Sequence, residues 1–187
     1  CVEHGLIPAI HCLDQLRLLG ELRPPVRLPV YLKLNTGMNR LGFVLEDIPA
    51  VREAVANLSV LGDITLMTHF SDADGASGID WQLARFEAMR NLWPEASAWP
   101  VSLANSAALL RYPSARRGWV RPGIMLYGGS PFADISAADL GLQPAMTPGS
   151  PVLAVETARA GARVAHGGVF VRADVEDAEI WINNRKV

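Results

Sequence analysis

The sequence predicts an α/β fold: a parallel sheet with helices packed on it, followed by the start of a β domain. Short apolar runs alternate with segments whose apolar residues recur at helical spacing, the pattern of strand–helix–strand units and hence of a parallel sheet. No GxGxxG fingerprint opens any of the helices, so a dinucleotide-binding version of that class is disfavoured. After Ser130 the texture changes: Pro131–Pro148 reads as a loop with no strong period, and the segments beyond it show the period-two alternation of antiparallel strands. These observations place a boundary between residues 143 and 144, giving an α/β unit over 1–143 and a β segment over 144–187.

Taken in order, Leu6–His11 (LIPAIH) reads as a strand, and Leu13, Leu16 and Leu19 as the inner face of a helix stopped by Gly20 and the Pro24–Pro25 pair. Pro29–Leu34 (PVYLKL) is a second strand. Ile48, Val51, Val55 and Leu58 line a helix that tolerates Pro49 in its first turn. Ile64–His69 (ITLMTH) is a third strand. Ser77 with Asp80 resembles a capping box ahead of Leu83, Phe86, Met89 and Trp93, and Pro94 ends that helix. Trp99–Leu103 is a fourth strand and Asn105–Leu110 a short helix, with strand-like pieces at Trp119–Val120 and Met125–Tyr127. Farther on, Val152–Thr157 and Arg163–Val171 alternate as antiparallel strands around Ala160–Gly161, while Asp174–Val187 shows no clear element.

Bulk properties narrow the function classes. Half of the 187 residues are hydrophobic and 19% are charged, enough to bury a sizeable core. The net charge is −2 with no basic run that would track a nucleic-acid backbone, so no nucleic-acid partner is expected. Cys1 and Cys12 are the two cysteines and form no CxxC, which fits a reducing compartment without a disulfide scaffold. No metal is expected. No apolar run approaches a membrane span and no signal peptide opens the chain, so the expectation is a cytoplasmic protein with no membrane partner. The first residue is cysteine rather than methionine, and the chain opens in mid-pattern. The expectation is therefore that it begins inside a longer gene product.

In a barrel of parallel strands, functional residues sit just past the strands' C-terminal ends. Lys33, His69, Asn105 and Arg121 all fall there. The stretch 102–128 holds two Gly/Ser/Asn-bearing turns with Arg121 between them, which suits a phosphate cradle; an ordinary helix-and-loop segment with a structural arginine is the competing reading. Each residue has a plain alternative too. His69 fits a satisfied core histidine, Lys33 a barrel lysine paired with an acid, Arg40 a surface arginine after a turn at Gly37, and Asn105 a helix cap. Arg111, Arg116 and Arg117 read as a solvated loop.

Four segments together resemble the alanine racemase family: LKLNTGMNRLGF (32–43), MTHFSDAD (67–74), SLANSA (102–107) and WVRPGIMLYG (119–128), in that order, over roughly residues 6–168. The resemblance implies a partial TIM (β/α)8 barrel followed by a β domain, pyridoxal phosphate as cofactor, and interconversion of L- and D-alanine for the bacterial wall by a homodimer. It implies that Ser106 and the backbone N–H groups of Gly123 and Ile124 hold the phosphate, with Asn105 beside them. Arg121 would face the pyridine nitrogen, and His69 would lie near the ring and hydrogen-bond Arg121. Arg40 would reach the ring oxygen and the substrate carboxylate, steadied by a carbamylated Lys33. A guanidinium against the pyridine nitrogen disfavours a second positive charge there, which weakens the ring as an electron sink and limits side reactions.

The chain also departs from the family. Racemisation needs two bases on opposite faces of the substrate carbon. The family's first is a lysine that carries the cofactor, in an early barrel-strand motif that neither Lys33 nor Lys186, the two lysines here, matches. The second is a tyrosine after an Ala-Gly turn, and His166 occupies its position; histidine accepts protons near neutrality. Beyond Gly168 the sequence does not resemble the family's continuation. The expectation is a fragment, truncated or frame-shifted, inactive by itself. The alternatives are a non-catalytic pyridoxal-phosphate-binding barrel and an inactive remnant with an interaction role.

Overall fold

The computed structural model describes residues 1–23 and 26–145, and the backbone of three further strands over 169–174, 177–182 and 185–186. The chain divides into two compact units, Cys1–Thr147 and Pro148–Val187.

In the first unit, β1 (Ala9–Ile10), β2 (Leu28–Lys33), β3 (Leu61–Met67) and β4 (Val101–Ser102) form a parallel sheet in sequential order. Helices α1 (Leu13–Glu21), α2 (Ile48–Ala56) and α3 (Asp80–Asn91) connect successive strands, and α4 (Ser106–Arg111) follows β4. Strand–helix–strand with every strand parallel is the predicted α/β class. Alternation along β2 explains the layering. Leu28, Val30 and Leu32 are buried, whereas Pro29, Tyr31 and Lys33 are half-buried on the opposite face. The buried face joins Leu16 and Leu19 of α1, Ile48 and Val51 of α2, and Phe86 and Met89 of α3 in one core. Each such side chain contributes about 1.5–3 kcal/mol by leaving water. Pairing between β2 and β3 slips at Pro29, which has no N–H to give to the ladder.

Several details differ from expectation. No side-chain cap is made at the start of α3: its N-cap is Ile79, and the Ser77 amide instead donates to Asp72 Oδ2 at 3.0 Å. Gly78, at φ 62°, lies between Ser77 and the helix and turns the chain before a capping box can close. Met125–Tyr127 is not a strand but part of a 3-10 turn, Ile124–Tyr127, ended by left-handed Gly128. Four apolar residues between glycines are too short for their periodicity to separate the two conformations. Arg111, Arg116 and Arg117 are not merely solvated. The Arg111 guanidinium lies 4.0 Å from the centre of the Phe132 ring, and Arg117 pairs with Glu87 at 2.7 Å. Arg116 donates to the Leu109 and Leu110 carbonyls at 2.8 and 3.0 Å, satisfying acceptors that the end of α4 leaves free.

The outer edge of β1 faces no further strand among the described residues. Leu6, Ile7, Leu18 and Leu22 around it are exposed, and an apolar groove lined by Pro8, Ile10, Leu18 and Leu22 runs beside it.

In the second unit, β5 (Val169–Asp174), β6 (Asp177–Ile182) and β7 (Arg185–Lys186) make an antiparallel sheet. The tail expected to lack structure therefore carries two strands. Their sequence, DAEIWI followed after two asparagines by RK, is strand-like only when its short alternation is weighed with its partner VFVRAD. The strand expected at Val152–Thr157 and the first part of that at Arg163–Val171 lie outside the described residues. Among the described residues, no helix is long and apolar enough to cross a membrane.

Candidate active site

The C-terminal ends of the parallel strands converge on one cluster. Lys33 is the last residue of β2 and pairs in register with Met67 of β3, which in turn pairs with Ser102 of β4. His69 follows β3 by two residues. The chain then returns after α4 so that Trp119 pairs with Ser102 in parallel, and the Arg121 amide donates to the Ala104 carbonyl at 2.8 Å. This places Arg121 over the ends of β3 and β4. Its guanidinium donates to the Thr68 carbonyl at 2.6 Å and to the Ser102 hydroxyl.

The loop after β2 brings Arg40 in. Phe43 N–H donates to the Lys33 carbonyl at 2.9 Å and Asn35 N–H to the Phe43 carbonyl at 2.7 Å, so residues 35–42 form a closed excursion. Asn35 Oδ1 accepts from the Gly37 and Asn39 amides and stiffens it. Gly42 permits the closure: at φ 125° a Cβ there would stand 2.9 Å from the Lys33 carbonyl oxygen and 2.8 Å from the Asn35 nitrogen.

Asn105 is the N-cap of α4. Its Oδ1 accepts from the Ala108 amide at 2.9 Å and its Nδ2 donates to the Phe70 carbonyl at 3.2 Å, so one side chain caps a helix and ties down the segment after His69. Ser106, buried at the first turn, accepts from the Gly123 amide at 2.8 Å. That bond joins the two turns of the 102–128 stretch. The expected hydrogen bond between His69 and Arg121 is not made among the described residues; the guanidinium is directed instead to the Thr68 carbonyl and the Ser102 hydroxyl. Ile124 is exposed at the start of its 3-10 turn. His166 lies outside the described residues.

Electrostatics define what the cluster is for. The ion pairs among the described residues join His4 to Glu3, Arg17 to Asp14, Arg52 to Glu95, and Arg90 and Arg117 to Glu87; none reaches Lys33, Arg40 or Arg121. Burial, then Arg40 and Arg121, hold the Lys33 amine below its usual value. Burial lowers Arg121 as well, partly opposed by Tyr31; a guanidinium nonetheless stays protonated. His69 is pushed down to about 4, first by burial and then by Arg121, Lys33 and Arg40. Cations gathered without a carboxylate among the described residues suit an anion. The turn beside the cluster is open: a Cβ built on Gly123 would find only the Ser106 hydroxyl, 4.0 Å away. The donors therefore fit a phosphate-bearing group. No cluster of metal-ligating side chains occurs among the described residues.

The His69 shift has a measurable consequence. The unfolded chain takes up this proton near 6.5 and the folded chain only near 4, so stability is complete above that window and falls as pH drops through it. Because the ring is only about half buried, the loss after solvent screening is about 1–2 kcal/mol. Urea unfolding between pH 7.5 and about 4.5 should show this slope in the native chain and a shallower one in His69→Gln; parallel slopes would refute the assignment.

Residues 1–131 match the family model described as alanine racemase, N-terminal domain. The chain belongs to this family. The alanine racemase of Thiobacillus denitrificans is 47% identical over 175 residues, covering 93% of this chain and 46% of that protein. The crystal structure of the biosynthetic alanine racemase from Pseudomonas aeruginosa is 37% identical with a TM-score of 0.63, covering 73% of this chain and 37% of the other. An alanine racemase from Bartonella henselae, whose structure is described with covalently bound pyridoxal phosphate, is 25% identical with a TM-score of 0.55, covering 67% and 37%. The chain thus spans about half the length of the curated relatives it matches. Its parallel sheet is part of the alanine racemase barrel.

Four polar residues of the site escaped sequence reading: Thr36, Thr68, Gln82 and Ser102, all buried. Gln82 had a signal. On a helical wheel it falls with Ile79, Phe86 and Met89, a polar residue on the apolar face.

Proposed function

We propose that this chain forms the pyridoxal-phosphate seat of an alanine racemase, whose reaction interconverts L- and D-alanine. The observation that carries the reading is the cation cluster, paired with no carboxylate among the described residues, that Arg121 anchors beside the Ser106–Gly123 turn. Ser106 and the amides of Gly123 and Ile124 would hold the phosphate, the Gly123 amide exchanging its bond to Ser106 Oγ for a phosphate oxygen, with Asn105 capping the helix that carries Ser106. Arg121 would face the ring nitrogen and keep a proton off it. Arg40 would bind the substrate carboxylate. Pyridoxal phosphate, when bound, supplies the electron sink that acidifies the Cα–H of alanine.

Lys33 has a role consistent with its lowered pKa. The free amine is the form that adds carbon dioxide, and the resulting carbamate would place a negative charge beside Arg40. His166, at the family tyrosine's position, would stand as the base on one face of the substrate carbon. Residues 144–187 are read as the start of the β domain, and the working enzyme as a homodimer acting in the cytoplasm.

The lysine inventory favours a second reading, cofactor binding without turnover, since Lys33 and Lys186 match no cofactor-bearing lysine. Incubating the 187-residue chain with pyridoxal phosphate and L-alanine tests both the seat and the inactivity. The expected result is saturable cofactor binding with little or no D-alanine. Turnover comparable to an intact racemase would overturn the expected inactivity, and absence of cofactor binding would overturn the seat.

A further inference from the structure

Gln82 makes four hydrogen bonds whose directions are determined by their partners. The Thr68 hydroxyl donates to the Leu34 carbonyl at 3.0 Å, so its oxygen accepts from Thr36 at 2.7 Å. The Thr36 hydroxyl, its proton committed, accepts in turn from Gln82 Nε2 at 3.1 Å. The second Nε2 proton goes to the His69 carbonyl at 3.3 Å. At the other end Oε1 accepts from the Ser71 amide at 2.8 Å and the Ser71 hydroxyl at 3.1 Å. Turning the amide over would set donor against donor at Ser71, so its orientation is fixed. Gln82, Thr36 and Thr68 are all buried.

This chain of bonds runs from α3 to the segments following β2 and β3, and it stops one atom group short of the cation cluster. Thr68, whose hydroxyl is held through Thr36, offers its carbonyl to Arg121. His69, whose carbonyl is held by Gln82, carries the imidazole that feels Arg121. We propose that Gln82 is a positioning residue that locks the ends of β2 and β3 together so that Thr68 presents its carbonyl to Arg121 and His69 stands beside that guanidinium. A glutamate could not do this, because a carboxylate has no proton for Thr36 or for the His69 carbonyl. A leucine would fill the space on the apolar face of α3 at lower desolvation cost but would leave those acceptors buried and unpaired. The functional meaning of the lock rests on Arg121 serving the cofactor seat; its geometry does not.

The test uses the full chain and reads the His69 imidazole by NMR titration. In Gln82→Met its midpoint should rise from about 4 toward 6.5 by about one unit or more, as the ring leaves its buried place near Arg121, Lys33 and Arg40. Phe86→Leu, which loosens the same helix away from the strand ends, should destabilise the fold and leave the midpoint in place. Thr36→Val should reproduce the Gln82→Met shift and Thr36→Ser should not; this pair decides if Gln82→Met fails to fold. Pyridoxal phosphate affinity, followed by calorimetry, should fall about tenfold in Gln82→Met and Thr36→Val. An unmoved His69 midpoint in both variants, or an equal shift in Phe86→Leu, overturns the proposal. If the native chain binds no pyridoxal phosphate, the cofactor reading fails and the titration still decides the role of Gln82.

Discussion

Replacing Arg121 with leucine should lower pyridoxal phosphate affinity by about a hundredfold or more and cost about 2–4 kcal/mol of stability. The guanidinium makes two bonds that an aliphatic side chain cannot: one to the Thr68 carbonyl and one to the Ser102 hydroxyl, which is fully buried and would lose its charged partner. Relief of repulsion among the cations offsets part of that cost. The same variant has a second signature. His69 should titrate higher than about 4 yet remain below 6.5, because burial, the larger cause of its shift, is still present. Arg121→Lys should fall between, since an ammonium cannot span both acceptors as a planar fork does. Calorimetry with the cofactor, urea unfolding and NMR titration check these three effects. Undiminished affinity in Arg121→Leu would remove Arg121 from the site.

Gly118→Ala should cost about 3 kcal/mol, although position 118 touches neither ligand nor guanidinium. Its φ of 61° disfavours any L side chain, and a Cβ there would stand 2.3 Å from the Val101 carbonyl oxygen. That oxygen is the acceptor for the Trp119 amide, the bond that lays residues 119–121 against β4. The clash therefore displaces the strand piece bearing Arg121, and cofactor affinity should drop with stability. Gly141→Ala supplies the comparison. With φ 68° and no atom within 4 Å of its Cβ, it bears only the backbone strain of about 1–2 kcal/mol. Equal thermal unfolding shifts in the two variants would show that the Val101 contact carries no weight.

The α/β framework was legible because its signals are periodic and long. Leu16 and Leu19, or Val30 and Leu32, announce their buried faces by spacing alone. Lys33, His69 and Arg121 were legible by position, since strand ends are where a parallel sheet exposes side chains. Asn105 caps α4 and also ties down the segment after His69. What stayed hidden depends on contacts between distant segments. Ser77 and Asp80 have the spacing of a capping box, but Gly78 turns the chain away and Asp72 captures the Ser77 amide. Arg116 gives no sign in sequence that it serves the α4 carbonyls. The route from Gln82 through Thr36 to Thr68 joins residues 46 and 32 positions apart, a separation at which local pattern carries no information.

The outer edge of β1, unpaired among the described residues, sets two processes in competition. Folding of the parallel sheet is a first-order event, independent of how many chains share the solution. Pairing of an exposed edge with another chain is second-order, and its rate grows with the square of concentration. Leu6, Ile7, Leu18 and Leu22 give that encounter an apolar surface to bury, and the outer side of Ala9–Ile10 pairs with no strand among the described residues. The two-residue length of β1 works against the encounter, since a short template secures few bonds. In dilute solution the sheet therefore folds with that edge unpaired, whereas crowding shifts the same edge toward recruiting a neighbour.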